Sequence, residues 1–362
     1  MKTMAFLGGL VRGLVVVLVC ATASPARAEA DPPPYSFAVR PLGTLPGLSN
    51  FDATAINDLG HVIGNATDAG GRLHTFLYDG ARMVDIAPLS ALNATVSGIN
   101  NAGQIVGSAG NQAVMYSAGR ISYLGTGTVG SGAAAINDAG QATGWAQWSG
   151  TSRQAVIFDS GSVRAVTWSD SWWSSEGVDI NEHGDVAGAF NQRGSNEKRP
   201  TLFYADGSLG QPYLDNAFWS QRHMATGIND AGQMVGWFET HNGDGAYLFE
   251  NGVTHALNPL RFGRRAYDIN NHTQIVGEGG IWESDGILYD IADLMPADSP
   301  WRVTEWDLIN DRGQVVASAC LGDACQLVLL NPVPEPQVIA MLGAGLALLG
   351  LAATRHRRLP AA

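Results

Sequence analysis

Short apolar runs in which apolar and polar residues alternate imperfectly, broken by Asn, Asp and Gly, fill the chain from about Tyr35 to Leu330. Imperfect alternation is what strands covered on both faces show. The clearest unit is Gly227-Ile228-Asn229-Asp230-Ala231-Gly232-Gln233-Met234-Val235-Gly236-Trp237, which predicts a strand, a tight turn and a second strand. Asn opening the turn and Gly closing it suit a type I turn with a glycine bulge, because only Gly takes a left-handed conformation there without strain. The unit recurs around Ile56, Ile99, Ile136, Ile180, Ile269 and Ile309, seven copies in all, at intervals of 43, 37, 44, 48, 41 and 40 residues. Strand-built repeats of that period predict an all-β, seven-bladed β-propeller with one blade per repeat, a β-solenoid being the alternative.

Each repeat holds four strand candidates, a to d. In the first these are Ala53 to Asn57, His61 to Asn65, His74 to Tyr78 and, after the turn Asp79-Gly80, Met83 to Ala87. Equivalent c–d turns are Ala118-Gly119, Ser160-Gly161, Asp206-Gly207, Asn251-Gly252 and Asp285-Gly286. Two repeats depart from the pattern. The sixth has Thr273 where the bulge glycine belongs, which predicts a different turn there. The seventh has Ala317 in place of the strand b glycine and no strand d after Cys325 to Leu330. Tyr35 to Gly43, ahead of the first repeat, reads as a strand d without a blade. Pairing it into blade seven closes the ring and removes two exposed edges, which favours a closed propeller over residues 35–332.

The two ends carry different signals. Residues 1–28 have Lys2 and Arg12, an apolar run from Leu14 to Val19 and Ala26-Arg27-Ala28 before the expected cut, the pattern of a secretory signal peptide. At the other end Val333-Pro334-Glu335-Pro336 precedes an apolar run over 338–354 and then Arg355-His356-Arg357-Arg358. At ~1.5 Å per residue that run reaches about 25 Å as a helix, enough for a thin or tilted membrane span. The trailing arginines place its C-terminal end in the cytoplasm. Together, residues 333–358 resemble the PEP-CTERM family of bacterial sorting signals: a Pro-Glu-Pro motif, one transmembrane helix and an arginine-rich tail. The resemblance implies processing by signal peptidase and an exosortase, with the inner membrane as anchor before processing and the cell surface or exterior as destination. An ordinary single-span anchor is the alternative. The Ile-Asn-x-x-Gly-x-x-x-Gly cores, with His74-Thr75-Phe76 as a degraded triplet, resemble the HAF family of bacterial extracellular repeats.

Composition narrows the function further. Three of the 21 Lys and Arg residues lie in the leader and three in the tail, so residues 29–337 keep 15 bases against 33 acids, a net charge of −18. Nucleic acids need clustered cations to replace counterions, and this surface disfavours them. Cys320 and Cys325 flank four residues of a b–c hairpin and, in an exported chain, predict a cross-strand disulfide; metal binding is the alternative, but the spacing fits no zinc pattern. Gly125-Thr126-Gly127-Thr128-Val129-Gly130 leads into a strand rather than a helix, and so reads as a loop rather than a phosphate cradle. No cofactor or metal site is expected.

In a four-stranded blade the a–b and c–d turns share one face of the disc, and the b–c and d–a connections share the other. The second face collects the longer loops, with Trp148, Trp168, Trp172, Trp173, Trp219 and Trp301 and Arg261, Arg264 and Arg265. Binding residues gather on long loops held by a rigid scaffold, and flat indoles suit sugar rings; packing between blades is the competing role for each tryptophan. The expected function is a non-enzymatic, exported surface or matrix protein that binds polysaccharide or another envelope component. The alternative is a glycan-active hydrolase or lyase, for which Glu176, Asp215 and Glu239 are the candidate acids.

Overall fold

A computed structural model describes residues 35–166, 172–192, 197–212, 222–240, 243–257 and 264–334. All lie in the unit Pro33–Ala362. The leader 1–28, Glu335 and Pro336 of the sorting motif and the apolar run 338–354 fall outside the described residues. Among the described residues no helix is long and apolar enough to cross a membrane, and the α-helix Ala87–Ala91 is a five-residue turn between blades one and two.

The described strands form seven four-stranded antiparallel sheets, a seven-bladed β-propeller. Strand a of the successive blades is Leu48–Ile56, Thr95–Ile99, Gly130–Ile136, Trp172–Ile180, His223–Ile228, Ala266–Ile269 and Trp301–Ile309. Six blades run a-b-c-d in chain order. Blade seven has Trp301–Ile309, Val315–Leu321 and Ala324–Pro334 as a, b and c, and takes Tyr35–Pro41 as its outer strand. That strand pairs antiparallel from Tyr35↔Pro334 to Pro41↔Val328. Phe37, 1% exposed, anchors it in a core with Val315, Val328 and Leu330. The expected closure is the one observed, and the solenoid is set aside. Strand c of blade seven runs past the expected limit of residue 332, so Val333 and Pro334 of the sorting motif belong to the fold.

The second glycine of the repeat has a steric cause. A Cβ on Gly64, Gly107, Gly144, Gly188, Gly236 or Gly277 would come within 2.0–2.2 Å of a carbonyl oxygen in strand a of the same blade or, for Gly277, of Arg265 just before it. These glycines sit opposite the bulge in strand a, where the two backbones close up. Ala317 takes the position in blade seven, where strand a shifts register twice, at Val303/Glu305 and Trp306/Leu308.

The expectation for the sixth turn is corrected. Asn270 N donates to Gln274 O at 3.1 Å and Thr273 N to Asn270 O at 3.1 Å, the same pattern as Asn57 with His61 and Gly60. Thr273 adopts the left-handed conformation itself, at φ +60°, and its hydroxyl donates to Gln233 Oε1 at 2.8 Å. The neighbouring turn thus holds a residue that the backbone alone disfavours.

Candidate functional site

The seven a–b turns meet at the axis on the short-turn face. In each, the Asn side chain does two jobs. Its oxygen accepts backbone N–H groups of its own turn, as Asn57 Oδ1 does from Leu59 and His61 at 3.1 and 2.9 Å. Its amide donates to the backbone carbonyl of the corresponding Asn in the next blade. The sequence of donors runs Asn57, Asn100, Asn137, Asn181, Asn229, Asn270 and Asn310, each at 2.9–3.2 Å, and Asn310 returns to Asn57 O. All seven side chains are buried, so these bonds are made away from competing water and an unmade one is costly.

A second ring lies on the first. The residues after the asparagines are Asp58, Asn101, Asp138, Glu182, Asp230, Asn271 and Asp311. Each backbone N–H donates to the side-chain oxygen of the next, at 2.6–2.9 Å, again closing from Asp311 to Asp58. The Asn101 amide bridges Asp58 and Asp138, and the Asn271 amide bridges Asp230 and Asp311. Around the axis the two rings enclose a cavity of about 250 Å³. Its mouth carries five carboxylates, whose remaining lone pairs can accept from hydroxyls or attract cations; the donors of the rings are already used.

Beneath the mouth, on the innermost strands, lie Asp179 and Asp268. Each carboxylate accepts from the next residue's N–H and from strand a of the following blade: Asp179 from Ile180 and Ile228, Asp268 from Ile269 and Ile309, at 2.8–3.0 Å. Enclosure by protein raises Asp179 to about 6, against the pull of those N–H groups. Burial raises Asp268 to about 8, with the Asp179 and Asp311 charges adding to it. Both residues keep part of their surface exposed.

The long-loop face is built differently. Arg153 stacks 3.8 Å over the Trp145 ring and Arg265 4.1 Å over the Trp237 ring. Trp145 and Trp237 occupy one position, directly after the strand b glycine, in blades three and five. Asp244 holds Arg265 at 2.5 Å from the side. Such stacks are worth about 0.5–2 kcal/mol each depending on desolvation.

The family model described as "Protein of unknown function (DUF3466)" matches residues 137–324, just over half of the chain. The chain belongs to this family. No curated protein matches this DUF3466 member. Among solved structures it is similar to the β-propeller domain of the Trilobed protease from Pyrococcus furiosus, at 13% identity and TM-score 0.50, over 79% of this chain and 98% of that one. It also matches YCF48 from Cyanidioschyzon merolae, at 12% identity and TM-score 0.43 over 82% and 98% of the two chains. TolB from Acinetobacter baumannii matches at 13% identity and TM-score 0.41, with 60% of this chain covering 61% of that one. The first likeness supports the fold, and only the fold.

The residues expected at the site of this DUF3466 protein are scattered across several settings. Arg265 lies in the Trp237 stack, and Arg264 beside it donates to Glu278 O at 3.2 Å. Trp148 and Trp301 are half-buried against the cores of blades three and seven, the packing role. Trp172 and Trp173 open strand a of blade four. Trp168, Trp219, Arg261 and Asp215 lie outside the described residues. Glu176 is ion-paired with Lys198, and Glu239 bonds Arg222 O through its backbone N–H. Cys320 and Cys325 face each other across the blade seven hairpin and form the expected disulfide. Trp145, Arg153, Trp237 and Asp244 escaped the sequence reading, although the shared position of the two tryptophans after a strand b glycine could have pointed to them.

Proposed function

We propose that this DUF3466 protein is an exported, non-enzymatic binding propeller. It is held in the inner membrane by residues 338–354 until an exosortase acting at the Pro-Glu-Pro motif releases it to the cell surface or matrix. There it binds polysaccharide or another envelope component through the long-loop face. The observation that carries the binding role is the pair of Trp–Arg stacks. Trp145 and Trp237 hold one position in blades three and five, and each is capped by an arginine, Arg153 ahead of strand c of blade three and Arg265 ahead of strand a of blade six. A guanidinium held over an indole offers donors beside an apolar surface, the combination a sugar ring with hydroxyl or carboxylate substituents can use. The short-turn face supports the reading by contrast, since its donors are committed to closing the ring. Export and sorting rest on the sequence of the two ends.

The test is glycan-array binding by the full-length chain in detergent, beside Arg265→Ala and Trp237→Ala. The expected result is binding by the parent chain and at least tenfold weaker binding by both variants. Binding that survives both substitutions removes the long-loop face as the site, and a parent chain that binds no glycan or envelope fraction removes the role. For sorting, Glu335→Ala should pass signal-peptide cleavage and accumulate unprocessed in the inner membrane. Processing at the normal rate would refute the exosortase assignment.

A further inference from the structure

We infer that the anchored propeller stands with its short-turn face, and therefore its acidic axial mouth, toward the membrane, and presents its long-loop face outward. The inference rests on the anchoring role proposed above for residues 338–354, and adds the orientation that the fold imposes on it.

The exit point fixes the geometry. Strand c of blade seven ends at Pro334, running in the same direction as strand a, toward the a–b turns. Asn331 Oδ1 accepts from Gln314 Nε2 at 2.6 Å, and Gln314 closes the a–b turn of blade seven. Tyr35, paired with Pro334, donates through its hydroxyl to Glu283 Oε1 at 2.5 Å, at the c–d turn of blade six. The described fold therefore ends at the short-turn face.

Little chain then separates the fold from the apolar run. Glu335, Pro336 and Gln337 are the residues between Pro334 and Val338. Four Cα steps reach about 14 Å at full extension. To place the long-loop face toward the membrane, the chain would have to run back along the blade. A strand of about seven residues at ~3.3 Å each is about 23 Å tall. The spacer is too short to turn the disc over.

Two consequences follow. The Trp145–Arg153 and Trp237–Arg265 stacks point away from the lipid, where a large polymer can reach them. The five carboxylates of the mouth meet the lipid surface instead, and repulsion from anionic headgroups, screened beyond about 8 Å at physiological salt, keeps the disc from settling flat. Cleavage at the motif releases that mouth to solvent.

The experiment uses the full-length chain reconstituted in liposomes of phosphatidylethanolamine and phosphatidylglycerol containing a headgroup-linked energy-transfer acceptor. Donor dyes are placed without reduction, so that the native disulfide stays closed. One pair of sites is Asp206→Cys, in the c–d turn of blade four, and Asn111→Cys, in the b–c turn of blade two. A second pair, Ser160→Cys and Ser149→Cys, guards against a variant that fails to fold. The expected result is transfer at least threefold greater from Asp206→Cys and Ser160→Cys than from their long-loop counterparts. Equal transfer, or the reverse order, overturns the orientation while leaving the anchor in place. A full-length chain that does not float with the liposomes overturns the anchoring role itself, and the orientation with it.

Discussion

The two faces of the disc use polar groups in opposite ways. On the short-turn face one turn is repeated seven times, and its amides and backbone N–H groups bond from blade to blade until both rings close. On the long-loop face the polar contacts are individual: Arg153 over Trp145, Asp244 against Arg265, Lys198 against Glu176. The asparagine ring needs the same residue in every blade, because an amide that reaches the next carbonyl must be reached in turn. The second ring needs only a side-chain oxygen, which Asp, Asn or Glu supplies. On the short-turn face repetition therefore closes the fold, whereas each contact on the long-loop face is made by particular residues once.

The strongest test of that division is removal of the clasp. Deleting Tyr35 to Gly43 strips blade seven of its outer strand and of Phe37, a loss of the size that a large core truncation brings, about 3–5 kcal/mol for the phenylalanine alone. The expected outcome is aggregation or a melting temperature lowered by well over ten degrees. An unchanged melting curve would show that closure contributes nothing. Next comes Asn310→Ala. It removes the bond to Asn57 O and the oxygen that accepts from Arg312 and Gln314, leaving buried groups unpaired. A loss of about 2–4 kcal/mol in denaturant unfolding is expected. Arg265→Ala, on the other face, removes a partly exposed ion pair that contributes little and the stack on Trp237, and should cost about 0.5–2 kcal/mol, less than the loss at Asn310. Equal losses would erase the contrast.

The disulfide tests whether any part of the long-loop face is structural. Cys320 and Cys325 close a short loop on the b–c hairpin, and the chain-entropy contribution of so short a loop is about 2 kcal/mol. The double Cys→Ser variant should lose no more than that, and mass spectrometry of the purified protein should find the two residues joined.

A pH scan tests the axis. Asp179 and Asp268 titrate at about 6 and about 8, above the ordinary carboxylate range, because enclosure penalises their charged forms. The folded state therefore holds their protons more tightly than the unfolded chain does. Their contribution is most favourable below the unfolded value and is lost as pH rises through the folded values. Melting temperature should fall between pH 5 and pH 9, and Asp268→Asn should flatten that slope. A parent-like slope in the variant would assign the pH dependence elsewhere.

How much of this could be read from the chain varies by level. The blade count, the closing strand and the disulfide were legible because each depends on spacing: the recurring Ile-Asn pairs, an orphan strand d and two cysteines on one hairpin. The rings were half legible. Asn and Gly predicted the turn, but the amide bond to the next blade joins residues about 40 apart, and local turn chemistry gives no hint of it. An indole in a long loop has equal use as a plug, and Trp148 and Trp301 lie half-buried against the cores. Trp145 and Trp237 lie inside strands, where no loop argument looks.

Thr273 offers the finest test of the short-turn face. Six of the seven turns put glycine at the left-handed position, and Thr273 stands there at φ +60°. A β-branched residue in that conformation pays about 1–2 kcal/mol in backbone strain, which Gly relieves. Against this, Thr273→Gly removes the hydroxyl bond to Gln233 Oε1, about 1 kcal/mol, and adds unfolded-state freedom of a further 0.5–1 kcal/mol or so. The terms nearly cancel, so Thr273→Gly should shift stability by less than about 1 kcal/mol in either direction. Thr273→Val keeps the strain and the shape but deletes the hydroxyl, and it should be the less stable of the two. If instead the valine variant matches the parent, the bond to Gln233 contributes nothing, and the sixth turn is held only by the bonds around the ring.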